Sequence, residues 1–174
     1  MNLIRKITII SFVLLTFDTN LNAGTPHFLD FKYILNQSDA GKKAQTYLKK
    51  KLNDGIKNLQ SREKAIQEEE KKIIQQKKVI SAEEYKKKVT SLRNKVATLQ
   101  KERNNLLDNI AKQRSKARTE LLKNLNPIIK EYMAEKKIRM VVDKKSLLLA
   151  DQNLNITDEI VKRLNKKLKS IKLN

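Results

Sequence analysis

The chain has 174 residues, with 39 Lys and Arg against 19 Asp and Glu, and a formal net charge of +20. With no Trp, no Cys, four Phe and four Tyr, it lacks the apolar material for one thick globule and has no thiol for disulfide or thiolate chemistry. So positive a charge favours a polyanionic partner, which could be nucleic acid, an anionic membrane surface or acidic proteins.

Residues 1–23 have the three regions of a secretion signal in order. Arg5 and Lys6 precede the apolar run ITIISFVLLTF, and a polar stretch then ends in LNA before Gly24. The alternative is a membrane anchor, but this run is shorter than the roughly twenty residues that span a bilayer. We therefore expect cleavage after Ala23, and secretion argues against nucleic acid as the partner.

The next elements, in residues 24–39, are predicted to begin a small body. PHFLDF reads as a short edge strand, and KYILNQ allows one or two helical turns. Ser38 then has the character of an N-cap for a long helix. Residues 40–125 are predicted to be helical throughout and to form an arm.

A turn near residues 79–83 is predicted to divide this arm. Ser81, with Glu84 three positions later, forms a capping box, which marks the start of a new helix. Folding back here would give an antiparallel coiled-coil hairpin of two halves, each about 60 Å long. One unbroken helix that pairs with another chain is the alternative.

The two halves have unequal apolar seams. On the outgoing half, apolar residues recur every seven positions, but the seam positions between them are Gly55, Arg62, Glu69 and Gln76. The returning half is apolar at all but one seam position, Arg103. The predicted seam residues are Leu52, Leu59, Ile66, Ile73, Ile80, Tyr85, Val89, Leu92, Val96, Leu99, Leu106 and Ile110. Gly55, Arg62 and Arg103 are predicted to lie at similar heights and to form a flexible hinge.

Residues 126–174 complete the predicted body. Asn126 followed by Pro127 indicates a helix that restarts there and runs to about Lys137. IRMVVD and LLLA resemble two more strands, and Thr157 is predicted to cap a final helix. The apolar positions of that helix, which recur at helical spacing, are Ile160, Leu164, Leu168 and Ile171.

A body of this size has too small a core to be more than marginally stable alone. Its short strands also leave backbone hydrogen-bonding groups unpaired at the edges of the sheet. Pairing with other copies would solve both problems, and strands from several chains could close into a small barrel. The predicted oligomer interface consists of Phe28, Leu29, Val141, Val142, Leu147 and Leu148.

No catalytic, cofactor or metal site is predicted. His27 is the one histidine, the glycines are isolated, and the run EEE at 68–70 points in several directions around a helix. Two lysine triplets are predicted either to be solvated or to contact a client or polyanion. They are Lys49, Lys50 and Lys51, and Lys86, Lys87 and Lys88.

The segments LNQSDAGKKAQTYLKKKL and MVVDKKSLLLADQNLNITDEIVKRLNKK resemble the Skp/OmpH family of periplasmic chaperones. Two details depart from the family pattern: Asn155 stands where an aspartate is common, and the first strand begins HFLDF. The resemblance implies an α+β homotrimer in the periplasm, with a small intersubunit β-barrel and coiled-coil arms around a cavity. It also implies ATP-independent holding of unfolded outer-membrane proteins.

Two functions are left open. One is a holdase whose basic arms enclose unfolded chains through many weak contacts. The other is a structural envelope protein whose arms bind a polyanion, such as anionic lipid, lipopolysaccharide or nucleic acid. The uneven seam favours the holdase, because a spacer would be expected to keep a complete seam.

Overall fold

The computed structural model describes residues 24–173, and the predicted secretion signal lies outside them. The elements in chain order are β1 (His27–Leu29), α1 (Phe31–Gln37), α2 (Asp39–Gln76), α3 (Ala82–Glu135), β2 (Val141–Asp143) and α4 (Thr157–Lys167). Helix α2 and the first part of α3 form an antiparallel hairpin, and the other elements pack around its base. The predicted mainly helical fold with a small strand portion is confirmed.

The hairpin turn spans residues 77–80 and overlaps the segment 79–83 that the sequence indicated. Helix α2 ends at Gln76, a turn follows, and Ser81 is the N-cap of α3, with its hydroxyl accepting from the backbone N–H of Glu84 at 3.2 Å. Glu83 and Glu84 lie in the first turn, where the helix dipole favours negative charge. One unbroken helix, the alternative, is therefore wrong for this chain.

The junction between α1 and α2 depends on Ser38 and Gly41. Ser38 is fully buried, donates its N–H to the Ile34 carbonyl at 3.1 Å, and caps α2 by accepting from the Gly41 N–H at 3.2 Å. A Cβ on Gly41 would lie 1.9 Å from the Leu35 carbonyl oxygen. Only glycine fits here, because the two helices approach so closely.

Helix α3 continues through Pro127, so the predicted restart after Asn126 is wrong. A proline inside a helix costs about 3 kcal/mol. Leu125 and Ile128 on either side are 0% and 2% exposed, and burying each contributes about 1.5 to 3 kcal/mol. The helix is kept because it carries these side chains into the core, and it ends at Glu135, two residues before the predicted Lys137.

The end of α3 is a Schellman motif without its usual glycine. Lys137 has a φ of 55°, in the left-handed region. The Ile138 N–H donates to the Met133 carbonyl at 2.9 Å, and the Lys137 N–H donates to the Ala134 carbonyl at 3.3 Å. A lysine therefore occupies a backbone position that glycine adopts at lower cost.

Strand β1 is the centre of the small sheet. It pairs in parallel with β2, with His27 opposite Val141 and Leu29 opposite Asp143. On its other side, Phe28 forms a parallel bridge with Asn155, and the Ile156 N–H donates to the Phe28 carbonyl at 2.9 Å. Both edges of β1 are thus occupied within one chain.

The predicted strand LLLA does not form. Asp143 accepts from the Lys145 N–H at 3.2 Å and begins a 3₁₀ turn over Lys144–Ser146, which turns the chain out of the sheet. Leu148 and Leu149 are fully exposed as a result, at 101% and 95%. In place of a third strand, the sheet has a single bridge between Asn155 and Phe28.

The prediction that Thr157 caps the last helix is wrong, because Thr157 is the first residue of that helix. Its buried hydroxyl accepts from the Asp30 N–H at 2.8 Å and donates to the Asn155 side-chain oxygen, which also accepts from the Thr157 N–H at 3.0 Å. Ile156 occupies the cap position and makes no side-chain cap bond. Asn155 and Thr157 therefore join the last helix to the first strand.

The main core lies where α1, α3 and α4 meet. Its buried residues are Leu29, Ile34, Ala40, Leu121, Leu125, Ile128, Ile138, Ile156, Ile160 and Leu164, with Leu168 and Ile171 packed against it. A second cluster lies at the base of the hairpin and contains Ala44, Leu48, Ile110, Ala117 and Leu173. Leu173 comes from the segment after α4, so this tail returns from the body to the arm.

Candidate functional site

The seam of the hairpin is only partly shielded from water. Four of the predicted seam residues are buried: Leu59, Ile73, Leu99 and Ile110. Seven are half-buried, namely Leu52, Ile66, Ile80, Tyr85, Val89, Leu92 and Leu106. Val96 is 51% exposed and is the one predicted seam residue that the opposite helix leaves open to solvent. The arm therefore presents apolar side chains to solvent along its length.

The polar seam positions of α2 each have a partner on α3. Arg62 forms an ion pair with Glu102. The Glu69 carboxylate accepts from Lys95 at 2.6 Å, and the Gln76 amide oxygen accepts from Lys88 at 2.8 Å. Because exposed pairs contribute about 0.2 to 1 kcal/mol each, these contacts serve mainly to fix the register of the hairpin.

Gly55 is the fourth of these positions, and its partner is Leu106. A Cβ on Gly55 would lie 2.6 Å and 2.7 Å from the two methyl carbons of Leu106. The glycine therefore leaves room for the Leu106 side chain, and its role here is one of packing.

The predicted hinge residues are thus packed or paired positions, whereas the sequence indicated gaps in the seam. Arg103 pairs with Glu63 at 3.3 Å, next to the Arg62 pair, which confirms that Arg62 and Arg103 lie at the same height. Both helices are unbroken at these residues. The polar breaks are bridged by ion pairs, and bending of the arm here stays a prediction.

The positive charge of the arm is concentrated at its two ends. Residues 40–125 carry 24 Lys and Arg against 10 Asp and Glu, a difference of +14. Five of the ten acids lie in the middle, at Glu63, Glu102 and residues 68–70, where several pair with cations. The base of the arm and the region of its turn are left with the excess of cations.

The two lysine triplets differ in their contacts. In the second, Lys87 and Lys88 pair with Glu83 and Glu84 at 3.1 Å and 3.6 Å, and Lys86 is exposed. In the first, the Lys51 ammonium lies 5.7 Å from the centre of the Tyr47 ring, and Lys49 and Lys50 are exposed. Contact with a client or polyanion through these lysines stays a prediction.

At the base of the arm, α1, α2 and α3 enclose a groove of about 540 Å³. Its floor is apolar, and its lining residues are Leu35, Asn36, Gly41, Ala44, Gln45, Leu48, Lys49, Leu52, Arg114, Ala117, Arg118 and Leu121. The sequence pattern does not reveal this groove, because residues from three separate segments form it.

The residues of the predicted oligomer interface differ in their exposure to solvent. Phe28 and Leu29 are 2% and 4% exposed and are buried within their own chain, so they are not free to meet another copy. Val141, Val142 and Leu147 are half-buried, and Leu148 is fully exposed. Met140 and Leu149, which the sequence pattern does not single out, are 53% and 95% exposed. The outer edge of β2 has no strand partner in the described chain.

A charged cluster fastens α4 to the end of α3. The Arg163 guanidinium contacts both carboxylate oxygens of Glu135 at 2.7 Å and 2.8 Å, and it lies 4.8 Å from the centre of the Tyr132 ring. It also donates to Glu159 at 3.2 Å. Hydrogen bonding to Arg163 lowers the pKa of Glu135 below its ordinary value, and the two carboxylates raise the pKa of Arg163.

Metal binding and membrane crossing are two further possibilities for the described residues. Within residues 24–173, no three His, Asp or Glu side chains come together in a way that could hold a metal ion. Over the same residues, no helix has both the length and the apolar character that a membrane crossing requires.

Comparison with known proteins relates this architecture to a family. Residues 27–164 match a family model described as outer membrane protein (OmpH-like). A similar crystal structure is that of an OmpH-like candidate outer membrane chaperone from Caulobacter crescentus CB15, with a TM-score of 0.79 and 20% sequence identity. The match covers 85% of this chain and 89% of that one, and at this identity it concerns the fold alone. No curated protein matches the sequence significantly.

Proposed function

Because the chain belongs to the OmpH-like family of outer membrane proteins, we propose that it is a periplasmic chaperone that holds unfolded outer-membrane proteins without ATP. The family, the similar fold and the form of the arm support this proposal together. Cleavage of residues 1–23 and export to the periplasm belong to the same proposal.

The observation that carries the proposal is the set of exposed apolar side chains along the arm. They are Ile56, Ile74, Val79, Val96 and Leu107, with exposed fractions from 39% to 80%. They are scattered along the arm and do not form one patch. Many weak contacts of this kind suit an unfolded chain, which has no fixed shape and gains affinity from binding at several points at once.

The charge of the arm has a second role in the proposal. Cations at the base and turn would draw acidic unfolded clients toward the arm and raise the association rate. Screening over about 8 to 10 Å at physiological ionic strength limits this attraction to short range. Once a client is bound, the apolar stems of the lysines add to the contacts that hold it.

We also propose that the working form is a homotrimer, with the arms around a cavity. The unpaired outer edge of β2, together with exposed Met140, Leu148 and Leu149, is a surface that another copy would cover. Mass measurement in solution tests this assembly. A well-folded monomer at micromolar concentration would contradict it.

The central experiment is suppression of aggregation. A urea-unfolded β-barrel protein is diluted into buffer with stoichiometric amounts of this protein, without nucleotide, and light scattering is followed. We expect scattering to stay near the buffer baseline. If the client aggregates as it does alone, while the protein binds anionic lipid vesicles or lipopolysaccharide, the holdase proposal is wrong and the structural envelope function is favoured.

A further inference from the structure

The groove at the base of the arm combines an apolar floor with a cationic rim. Leu48, Leu52 and Leu121 contribute to the floor, and Lys49, Arg114 and Arg118 stand around it. The volume of about 540 Å³ lies within the range of about 300 to 1,000 Å³ that is usual for ligand sites. The groove is therefore large enough for several apolar side chains.

The three rim cations have no ion-pair partner within residues 24–173, although most acids of the arm do pair with cations. Arg114 and Arg118 are four residues apart on α3 and lie on the same face of the helix, where like charges repel. A ligand that brings one or two carboxylates would relieve this repulsion. The groove thus favours an occupant that is apolar and anionic together.

Two amides in the wall favour a peptide over a lipid. The Gln45 side-chain N–H donates to the Asn36 side-chain oxygen at 2.8 Å, which leaves the Gln45 oxygen and the Asn36 amino group available. A peptide backbone can pair with both groups, whereas an acyl chain can pair with neither. From Gly41 to Leu52 the groove follows α2 for about 16 Å, the length of about five extended residues.

We propose that this groove binds a short extended segment of an unfolded client in which apolar side chains alternate with carboxylates. The inference rests on the proposed holdase function and adds to it a defined subsite for one class of segment. Alternation suits the site, because successive side chains of an extended segment point to opposite sides, toward the apolar floor and toward the rim.

The test uses the full-length protein and three fluorescein-labelled pentapeptides of the same apolar residues. The intervening positions are Glu in the first peptide, Gln in the second and Lys in the third. Fluorescence anisotropy measures each Kd at low salt. We expect the Glu peptide to bind most tightly and the Lys peptide most weakly. Equal binding of all three would overturn the proposal.

Paired variants then locate the binding. Arg114→Gln with Arg118→Gln removes two rim charges, and Lys112→Gln with Lys123→Gln removes two exposed charges of the same helix that do not line the groove. We expect the first pair to raise the Kd of the Glu peptide about three- to tenfold and the second to change it less than twofold. Equal effects of the two pairs on the Kd would show that the overall positive charge of the protein attracts the peptide, and would overturn the site.

Cross-linking gives a readout that does not depend on charge. The chain has no cysteine, so a benzophenone can be attached at a single introduced Cys. Leu35→Cys places it in the groove and Gln37→Cys places it just outside. We expect the Glu peptide to cross-link at the first position only, and equal yields at both would overturn the proposal. Cross-linking to a second copy, or to phosphatidylglycerol vesicles in preference to the peptide, would do so as well.

Failure of this inference can be told from failure of the proposed function. If aggregation is suppressed but the Glu peptide does not bind, the groove is not a subsite and the holdase stands. If the peptide binds as expected while clients aggregate freely, the groove is a peptide site but its assignment to a holdase is overturned.

Discussion

Replacing Leu173 by Ala should release the C-terminal tail from the base of the arm. Leu173 is 4% exposed and packs among Ala44, Leu48, Ile110 and Ala117. Leu→Ala removes about three methylene equivalents of burial at about 0.8 kcal/mol each. Some relaxation of the tail reduces this, and we expect a loss of about 2 kcal/mol.

The other contacts of the described tail do not compensate for this loss. Leu168 and Ile171 pack against the core in both proteins, so their contribution is unchanged. Lys169 pairs with Asp39 at 3.1 Å, but both side chains are exposed, and such pairs contribute at most about 1 kcal/mol. Asn165 accepts from the Asp39 N–H at 2.8 Å, close to the end of α4. A loss of 2 kcal/mol should therefore appear as local opening of the tail, with an opening constant about 30 times larger.

Limited trypsin digestion measures this opening directly. Lys172 precedes Leu173, so the bond between them is cleaved only when the tail detaches. We expect cleavage there to be about 30 times faster in the variant, with the rate at Lys78 in the hairpin turn unchanged as an internal reference. Leu107→Ala, at a residue 53% exposed, is the matched control. Equal cleavage of the tail in wild type and Leu173→Ala would refute the reasoning.

Four further predictions concern single features. Lys137→Gly should stabilise the protein by about 0.5 to 1 kcal/mol in denaturant unfolding, because Lys137 has a φ of 55°; an unchanged or lower midpoint would contradict this. Gly55→Ala should change the thermal midpoint little, because moving the flexible methyl groups of Leu106 offsets the gain in helix propensity of about 1 kcal/mol. In a Leu106→Ala background the same change should raise the midpoint, and equal effects in both backgrounds would refute the packing role. Arg163 lowers the pKa of Glu135, so the stabilising contribution of this pair is present above the unfolded-state pKa and is lost as the pH falls through the lower folded-state pKa. Between about pH 5 and 3 the midpoint of Glu135→Gln should fall less than that of the wild type, and parallel curves would exclude this role for the pair. Raising salt from about 50 to 500 mM should slow client capture several-fold in stopped-flow experiments, with dissociation nearly unchanged, and changing residues 86–88 to Gln should reproduce part of the slowing; salt-independent association would remove the steering role.

The elements that the sequence predicted well are those set by local chemistry. Ser38 and Ser81 each cap a helix through their own hydroxyl, and the seven-residue spacing of α2 identified the face that meets α3. Caps and periodicity depend on neighbours within a few residues, so one chain is enough to recognise them.

The errors lie where distant contacts outweigh a local signal. Pro127 suggested a break, but buried Leu125 and Ile128 keep the helix intact. Thr157 suggested a cap, but its hydroxyl is held by the backbone of Asp30, 127 residues earlier. No spacing rule reveals such a partner, because the fold alone brings the two segments together.

The same limit applied to the candidate site. The cations of the arm can be counted from the sequence. Which of them pair with carboxylates depends on the register of α2 against α3. By its sequence pattern Arg62 is a gap in the apolar seam, and in the structure Glu102 bridges it. Lys49 and Arg118 border one groove only because the hairpin brings their helices together.

The position of β1 in the sheet sets an order of events during folding. Phe28 lies between β2, which ends at Asp143, and the bridge at Asn155. The first strand therefore has no partner until more than a hundred later residues have been synthesised. The hairpin arm pairs segments that are close in sequence, so it can form outward from its turn within microseconds to milliseconds. Strand β1 can pair only after a very long loop has closed. We expect the arm to form first, and the body to close last, around a finished arm.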